Sequence, residues 1–156
     1  VRTRRARLAF LTLAAAECYA GPLPWTLEAP TLPSIYHHVS TLDEAGALVE
    51  LPLPPPERFQ DNARYVYRSI FHFRPLVNGY SGFVPRSYRE AYRLLMSERF
   101  DEGLELMARA GVRFVVTHSG RLGPRMRRRI EQAEGRGKLV LHRVSGSDRL
   151  YRLERD

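Results

Sequence analysis

Residues 100–124 alternate between helix-forming and strand-forming patterns, and this alternation restricts the chain to a few architectures. The segment DEGLELMARAG places Leu104 and Met107 at helical spacing and ends at Gly111, a natural helix stop. The run VRFVVT that follows has the apolar, β-branched composition of a buried strand, and a Gly-Pro pair at residues 123–124 begins another helix. A helix, a buried strand and a second helix in this order predict an α/β fold.

Further segments complete the predicted sheet. The run ALVELPL, residues 47–53, is typical of a second buried strand that pairs in parallel with VRFVVT. Near the C-terminus, residues 138–144 and 149–153 form strands whose Ser-Gly-Ser-Asp link is typical of a β-hairpin. We therefore expect an α/β domain with a mixed sheet that has a parallel centre, helices on at least one face and a C-terminal antiparallel hairpin.

Two further segments have local patterns that predict secondary structure. Residues 35–45, which precede the first strand, are typical of a short helix. Residues 64–70, which lie between the two parallel strands, have a β-type composition that predicts a strand. Asn78-Gly79 is a turn signal, and glycines there are expected to permit positive φ or close backbone approach. Ser87 and Glu90 have the spacing of a capping box at the start of the helix that follows.

The first thirty-three residues differ in composition from the rest. Four arginines in VRTRRAR precede an apolar run, and the breaker GPLPW follows, which is the order of a membrane-entry sequence. We interpret residues 1–20 as the terminal part of a transmembrane helix or a membrane anchor, residues 21–33 as a Pro-rich connector and residues 34–156 as a soluble α/β domain. The apolar run is shorter than the ~20 residues of a full span, so a secretory signal peptide and a buried helix remain alternatives.

The orientation of this N-terminal region predicts a location. Because arginine-rich flanks stay in the cytoplasm, the domain after the connector is expected on the extracytoplasmic side of the membrane. A first residue of Val rather than Met favours a fragment of a longer protein, with an alternative start codon as the other explanation.

Composition and motif spacing exclude several classes of function. The formal charge of +8 comes from 25 basic residues, all Arg except Lys138, and they are scattered without a nucleic-acid-binding module, so we expect no nucleic-acid partner. A single cysteine excludes an intrachain disulfide framework, and the five histidines lack metal-ligand spacing, so neither a metal nor a cofactor is predicted. The sequence GYSGF lacks the final glycine of a nucleophile elbow because Phe83 takes its place, and no catalytic residue is assigned.

The segment Tyr65–Pro85 carries the best candidate site, because it interleaves aromatic side chains with imidazole, guanidinium and amide groups. Such polar groups are costly to bury without partners, so the mixture indicates either a polar-lined pocket or a hydrogen-bonded structural turn. A second candidate is the loop THSG after VRFVVT, where α/β sheets commonly bind ligands and where backbone amides could hold a phosphate, an ordinary loop being the alternative. The candidate binding residues are His72, Arg74, Asn78, Tyr80, Ser81 and His118.

A basic cluster follows this loop. It has two interpretations, contact with anionic headgroups or a solvated helix face. Its members are Arg121, Arg125, Arg127, Arg128 and Arg129.

The stretch FHFRPLVNGYSGFVP, preceded by ELPLPP and YVYRS and followed by LMARAGVRFVVTH, resembles the C-terminal soluble region of bacterial polytopic membrane proteins of the GT-C glycosyltransferase class. The resemblance covers about residues 48–118, with Phe73 where those proteins usually have Trp. The matching positions are Tyr67, Ser69, His72, Pro75, Asn78, Gly79, Tyr80, Ser81, Gly82, Pro85, Gly111, Val112, Val115, Val116 and His118.

The resemblance implies a function that this chain does not complete alone. Such proteins use polyprenyl-phosphate-linked sugars, and their catalytic carboxylates lie in a first extracytoplasmic loop that is not in this chain. The resemblance therefore implies a domain at the bacterial cell membrane that assists sugar transfer, with the remainder of a polytopic protein and a glycan or polyprenyl-phosphate sugar as partners. The alternative is a non-catalytic structural or partner-binding domain of a membrane protein.

Overall fold

The structure is a computed structural model that describes residues 4–18 and 34–154, in a chain that forms two compact units, Val1–Thr31 and Leu32–Asp156. In the first unit, Arg4–Cys18 form helix α1, whose length is about 22 Å. Within the described ranges, no helix combines the length and the apolar content that a membrane crossing requires. The membrane anchor thus stays a prediction, and the predicted connector, residues 21–33, lies outside the described residues.

Four strands of the second unit form one mixed sheet with the spatial order β1-β2-β4-β3. The first two strands pair in parallel and the other pairs are antiparallel, which confirms the predicted α/β fold with its C-terminal hairpin. The hairpin turn is tighter than the expected four-residue link, because only Gly146 and Ser147 separate the strands and Gly146 supplies a φ of 58°. The strands are β1 Ala47–Leu51, β2 Val112–His118, β3 Leu139–Ser145 and β4 Asp148–Leu153.

Helices cover both faces of this sheet. A larger apolar core joins one face to the three longest helices of the unit, and a smaller one joins the opposite face to helix α2. Alternation along β2 divides its side chains between them, since Val115 enters the larger core while Phe114 and Val116 enter the smaller. The helices are α2 Ser34–Ser40, α3 Ala63–Ser69, α4 Arg86–Leu95, α5 Phe100–Arg109 and α6 Pro124–Gly135, with 3₁₀ turns at Pro56–Asn62 and Ser119–Arg121.

The free edge of β1 is covered by a short extended segment after α3. Leu48 donates its N–H to the Pro75 carbonyl at 2.8 Å, and Val77 donates to the Leu48 carbonyl at 2.9 Å, which forms a parallel bridge between Leu48 and Leu76. Because this bridge fixes residues 75–77 beside β1, it also brings Asn78 to the level of the next residues of that strand.

Two local predictions are wrong. Residues 64–70 belong mostly to helix α3 instead of a strand: the edge of β1 is already paired with residues 75–77, and the helix still buries Tyr65. No capping box forms at Ser87, because Pro85 is the extended N-cap residue and the helix begins at Arg86, so the Ser87 side chain lies inside the first turn. The helix expected over residues 35–45 is present but ends at Ser40.

Candidate functional site

A buried carboxylate lies at the centre of the candidate site. Glu50, on β1, is 0% exposed and shares the sheet face that packs on α2. Its Oε2 accepts a hydrogen bond from the Tyr36 hydroxyl at 2.5 Å and lies 2.7 Å from Nε2 of His118. Sequence reasoning missed Glu50, although one acidic residue inside the apolar run ALVELPL was a usable signal, because a carboxylate is rarely buried without partners.

His118 connects Glu50 to the C-terminal hairpin. It is the last residue of β2 and is 5% exposed, and its Nδ1 lies 3.1 Å from Oδ1 of Asp148, its opposite residue on β4. Burial alone would lower the pKa of His118, but the hydrogen bonds with Asp148 and Glu50 outweigh it, so the pKa lies above the ordinary value of 6.5. When both ring nitrogens are protonated, each donates to a carboxylate, and the ring links three strands.

Aromatic rings enclose this histidine. The Tyr65 ring stacks on His118 with centroids 5.6 Å apart, and the Tyr36 ring lies tilted beside the same histidine at 6.4 Å. Tyr36 also stacks on His72 at 6.1 Å. Burial, reinforced by the neighbouring Glu50 charge, raises the pKa of Tyr36 far above its ordinary range, so its hydroxyl remains a donor. The rings exclude water from the ion pairs and strengthen the electrostatic attraction between them.

Asn78 acts as a substitute for a neighbouring strand residue. Its Oδ1 accepts the backbone N–H of Glu50 at 2.7 Å, and its Nδ2 donates to the Glu50 carbonyl at 2.9 Å and to Oδ1 of Asn62 at 3.4 Å. The predicted Asn78-Gly79 turn is tight, with the Gly79 N–H donating to the Val77 carbonyl at 2.8 Å. The amide side chain thus stabilises β1 and not its own turn.

His72 is buried as a neutral ring. Its Nδ1 accepts the backbone N–H of Arg74 at 3.1 Å, which assigns the ring proton to Nε2, and burial lowers the pKa of this histidine. His72 Nε2 and the second carboxylate oxygen of Glu50, Oε1, have no hydrogen-bond partner among the described residues. His72 is 7% exposed and packs inside the domain.

Arg74 closes the loop between α2 and β1. Its guanidinium donates to three backbone carbonyls, those of Val39 at 3.1 Å, Leu42 at 2.5 Å and Glu44 at 2.6 Å, and lies 4.8 Å over the Phe114 ring. Arg74 has a structural role, because its guanidinium donors are already bonded to backbone carbonyls of the domain.

Tyr80 and Ser81 lie apart from the buried network. Both side chains are exposed, and the Ser81 hydroxyl donates to the Phe83 carbonyl at 2.7 Å. The structure thus brings His72, Asn78 and His118 together around Glu50 and leaves Tyr80 and Ser81 on the surface.

Positive φ occurs at a different residue from those expected. Gly79 and Gly82 have no positive φ, and no atom lies within 4 Å of where a Cβ would be. Among the described non-glycine residues only Phe73 has a positive φ, 51°, and its side chain is 86% exposed. With other exposed side chains of α3 and the turn after it, Phe73 forms what we call the aromatic surface, which consists of Val66, Tyr67, Ile70 and Phe73.

The buried network is suited to holding strands together. The described residues contain no group of three or more His, Cys, Asp or Glu arranged to hold a metal ion. The network holds a carboxylate, an imidazolium and an amide whose main partners are the chain's own atoms. Comparison with protein-family models, curated proteins and solved structures gives no match to this chain.

Proposed function

We propose that this chain is a non-catalytic domain of a bacterial membrane glycosyltransferase-like protein, on the extracytoplasmic side, where it assists sugar transfer from a polyprenyl-phosphate donor. The resemblance over residues 48–118 supports the context, and the catalytic carboxylates belong to a loop outside this chain. Within this proposal the Tyr65–Pro85 segment builds the domain and does not carry out chemistry.

One observation carries the non-catalytic part of the proposal. Glu50 and His118 have side chains of the kinds that serve as general acids and bases. Their hydrogen bonds join them to each other, to Tyr36 and to Asp148. A catalytic acid or base must come within hydrogen-bond distance of its substrate, and these two side chains are buried beneath α2. Their geometry supports a structural role.

The aromatic surface is an exposed part of the segment that is available for an external contact. A Phe in the left-handed region costs roughly 1–3 kcal/mol, and here the residue gains no burial in return. Aromatic side chains are enriched in protein interfaces, where they supply contact area at low entropic cost. We assign this surface to contact with the membrane-embedded remainder of the protein.

The test compares transfer activity with stability. Membranes that contain the full-length protein are assayed for transfer of a labelled sugar from a polyprenyl-phosphate donor, and Tm is measured for the same variants of this chain. Phe73→Ala is expected to reduce transfer without lowering Tm, whereas Asn78→Ala is expected to lower both together. Val144→Ser, an exposed apolar position on β3, serves as the matched control and should change neither.

Two results would overturn the proposal. Loss of transfer in Glu50→Gln with an unchanged Tm would assign chemistry to the network. Full transfer activity in Phe73→Ala would remove the assigned contact and leave the alternative, a structural or partner-binding domain of a different membrane protein. The reading frame upstream of the Val1 codon provides an independent check, since several hydrophobic spans in frame are expected there.

A further inference from the structure

A solvent-accessible cavity lies on the sheet face opposite the Glu50 network. It has a volume of about 400 Å³ and occupies the ends of β2 and β4, beneath the first turns of α6. This is the carboxyl end of the parallel pair β1–β2, where α/β sheets commonly bind ligands. The polar residues that line it are Thr117, Ser119, Arg127, Glu131, Ser147, Arg149 and Tyr151.

The lining combines cations with hydroxyl groups. Arg127 is oriented by a hydrogen bond from its Nη2 to the Ser119 carbonyl at 2.8 Å, which leaves its other guanidinium donors available. Arg149 projects from β4 on the same face, and Ser119 and Ser147 belong to the two turns at the rim. Against these two cations the lining has one carboxylate, Glu131, and a second, Glu134, accepts a hydrogen bond from the lining residue Tyr151 at 3.5 Å. Paired guanidinium and hydroxyl donors match the oxygens of a tetrahedral oxyanion.

The Thr117 hydroxyl is a further donor in this cavity. Thr117 is 1% exposed and lines the cavity, and its hydroxyl makes no hydrogen bond to another described residue. The hydroxyl is therefore available to donate to a group that enters the cavity. The hydroxyl lies on the floor of the cavity, because alternation along β2 directs Thr117 to the same face as Val115.

We propose that this cavity binds a phosphate-class oxyanion, either free phosphate or a phosphate monoester, through Thr117, Arg127 and Arg149. Thr117 donates its hydroxyl from the floor, and the two guanidinium groups contact the anion from opposite walls. The site does not depend on the proposed function, because it uses the other face of the sheet and none of the residues of the Glu50 network.

The test is calorimetric titration of the 156-residue chain with inorganic phosphate at fixed ionic strength, with ³¹P NMR as a second readout. Binding is expected to saturate at one site, and Thr117→Val, Arg127→Gln and Arg149→Gln are each expected to weaken it about tenfold. Arg128→Gln is the matched control, since Arg128 lies on α6 next to Arg127 but does not line the cavity. Thr117→Val should leave Tm unchanged, because the lost hydroxyl has no hydrogen-bond partner among the described residues.

A second arm separates the sources of the phosphate group. Phosphatidylcholine vesicles with and without phosphatidic acid are compared in a flotation assay, and binding that is lost in Thr117→Val identifies a headgroup as the ligand. Binding of phenyl phosphate but not of vesicles identifies a soluble monoester. An equal loss in Arg128→Gln and Arg127→Gln, or unchanged affinity in Thr117→Val, would overturn the site, because attraction to the net positive charge would then account for the binding.

Discussion

Oε2 of Glu50 and Nε2 of His118 lie 2.7 Å apart, although the two residues are separated by 68 positions in the chain. They occupy the same face of neighbouring strands, and Asp148 lies against the other nitrogen of the same imidazole. One histidine thereby joins β1, β2 and β4 at one end of the sheet. Since all three groups are largely withdrawn from water, each depends on the others for its hydrogen bonds and for charge compensation.

The first prediction concerns loss of the central charge. Glu50→Gln keeps the shape of the side chain but removes one of the two carboxylate partners of the buried His118 ring and leaves Asp148, so the free energy of unfolding should fall by about 3 kcal/mol. Urea denaturation monitored by circular dichroism measures this change. The control is Arg99→Gln, which breaks an exposed pair with Glu102 and should have little effect. Equal stability of Glu50→Gln and the unmodified chain would show that the pair does not hold the sheet.

The second prediction concerns stability above neutral pH. The pKa of His118 is raised in the folded state, so the folded chain binds this proton more tightly than the unfolded chain. Its contribution is complete below the unfolded value of 6.5 and is lost as the pH rises through the folded pKa. Urea midpoints measured upward from about pH 6.5 should therefore decline, and His118→Gln should flatten that decline.

The third prediction concerns stability below pH 6.5, where it should rise with pH and not fall. Burial lowers the pKa of His72, so its neutral form is favoured in the fold, and stability is lost as the pH falls from 6.5 through the folded pKa. His72→Gln should flatten the acid limb of the urea-midpoint profile and leave the alkaline limb unchanged. If one substitution altered both limbs equally, the separate assignments of the two histidines would be wrong.

The fourth prediction concerns the amide that pairs with β1. Asn78→Ala leaves the N–H and the carbonyl of Glu50 buried without their partners, so the free energy of unfolding should fall by about 3 kcal/mol. Asn78→Asp should be worse, because it directs a carboxylate oxygen at the Glu50 carbonyl. Ser81→Ala, which removes an exposed hydroxyl from the same segment, is the control and should stay close to the unmodified chain in urea. A similar loss in Ser81→Ala and Asn78→Ala would contradict the strand-like role of Asn78.

The sheet could be predicted from sequence because its signals are local. Each signal indicates its element through neighbouring residues alone: the apolar runs indicate β1 and β2, Gly111 indicates the end of α5, and the link near the C-terminus indicates the hairpin. All of these elements are present. Residues 64–70 were mispredicted because their β-type composition was overridden by a contact that the local pattern does not contain, the pairing of Leu48 with Leu76.

The buried network was only half predictable. His72, Asn78 and His118 were identified by polar groups placed among aromatic and apolar neighbours, whereas Glu50, Tyr36 and Asp148 join them only through strand register and the packing of α2. No local spacing relates residues 36, 50, 118 and 148. Their association follows from which side chains share one face of the folded sheet.

The last prediction separates the backbone of Phe73 from its side chain. Phe73→Gly removes the Cβ that disfavours a φ of 51°, at the end of the turn that follows α3, so the free energy of unfolding should rise by about 1 kcal/mol. Phe73→Ala keeps the Cβ and should show no such gain in urea. Both variants lose the exposed ring, so both should weaken to the same extent the sugar transfer that we propose for the full-length protein. A gain in stability for Phe73→Ala as large as for Phe73→Gly would refute backbone strain at this residue, and preserved transfer in both would refute a contact through the aromatic surface.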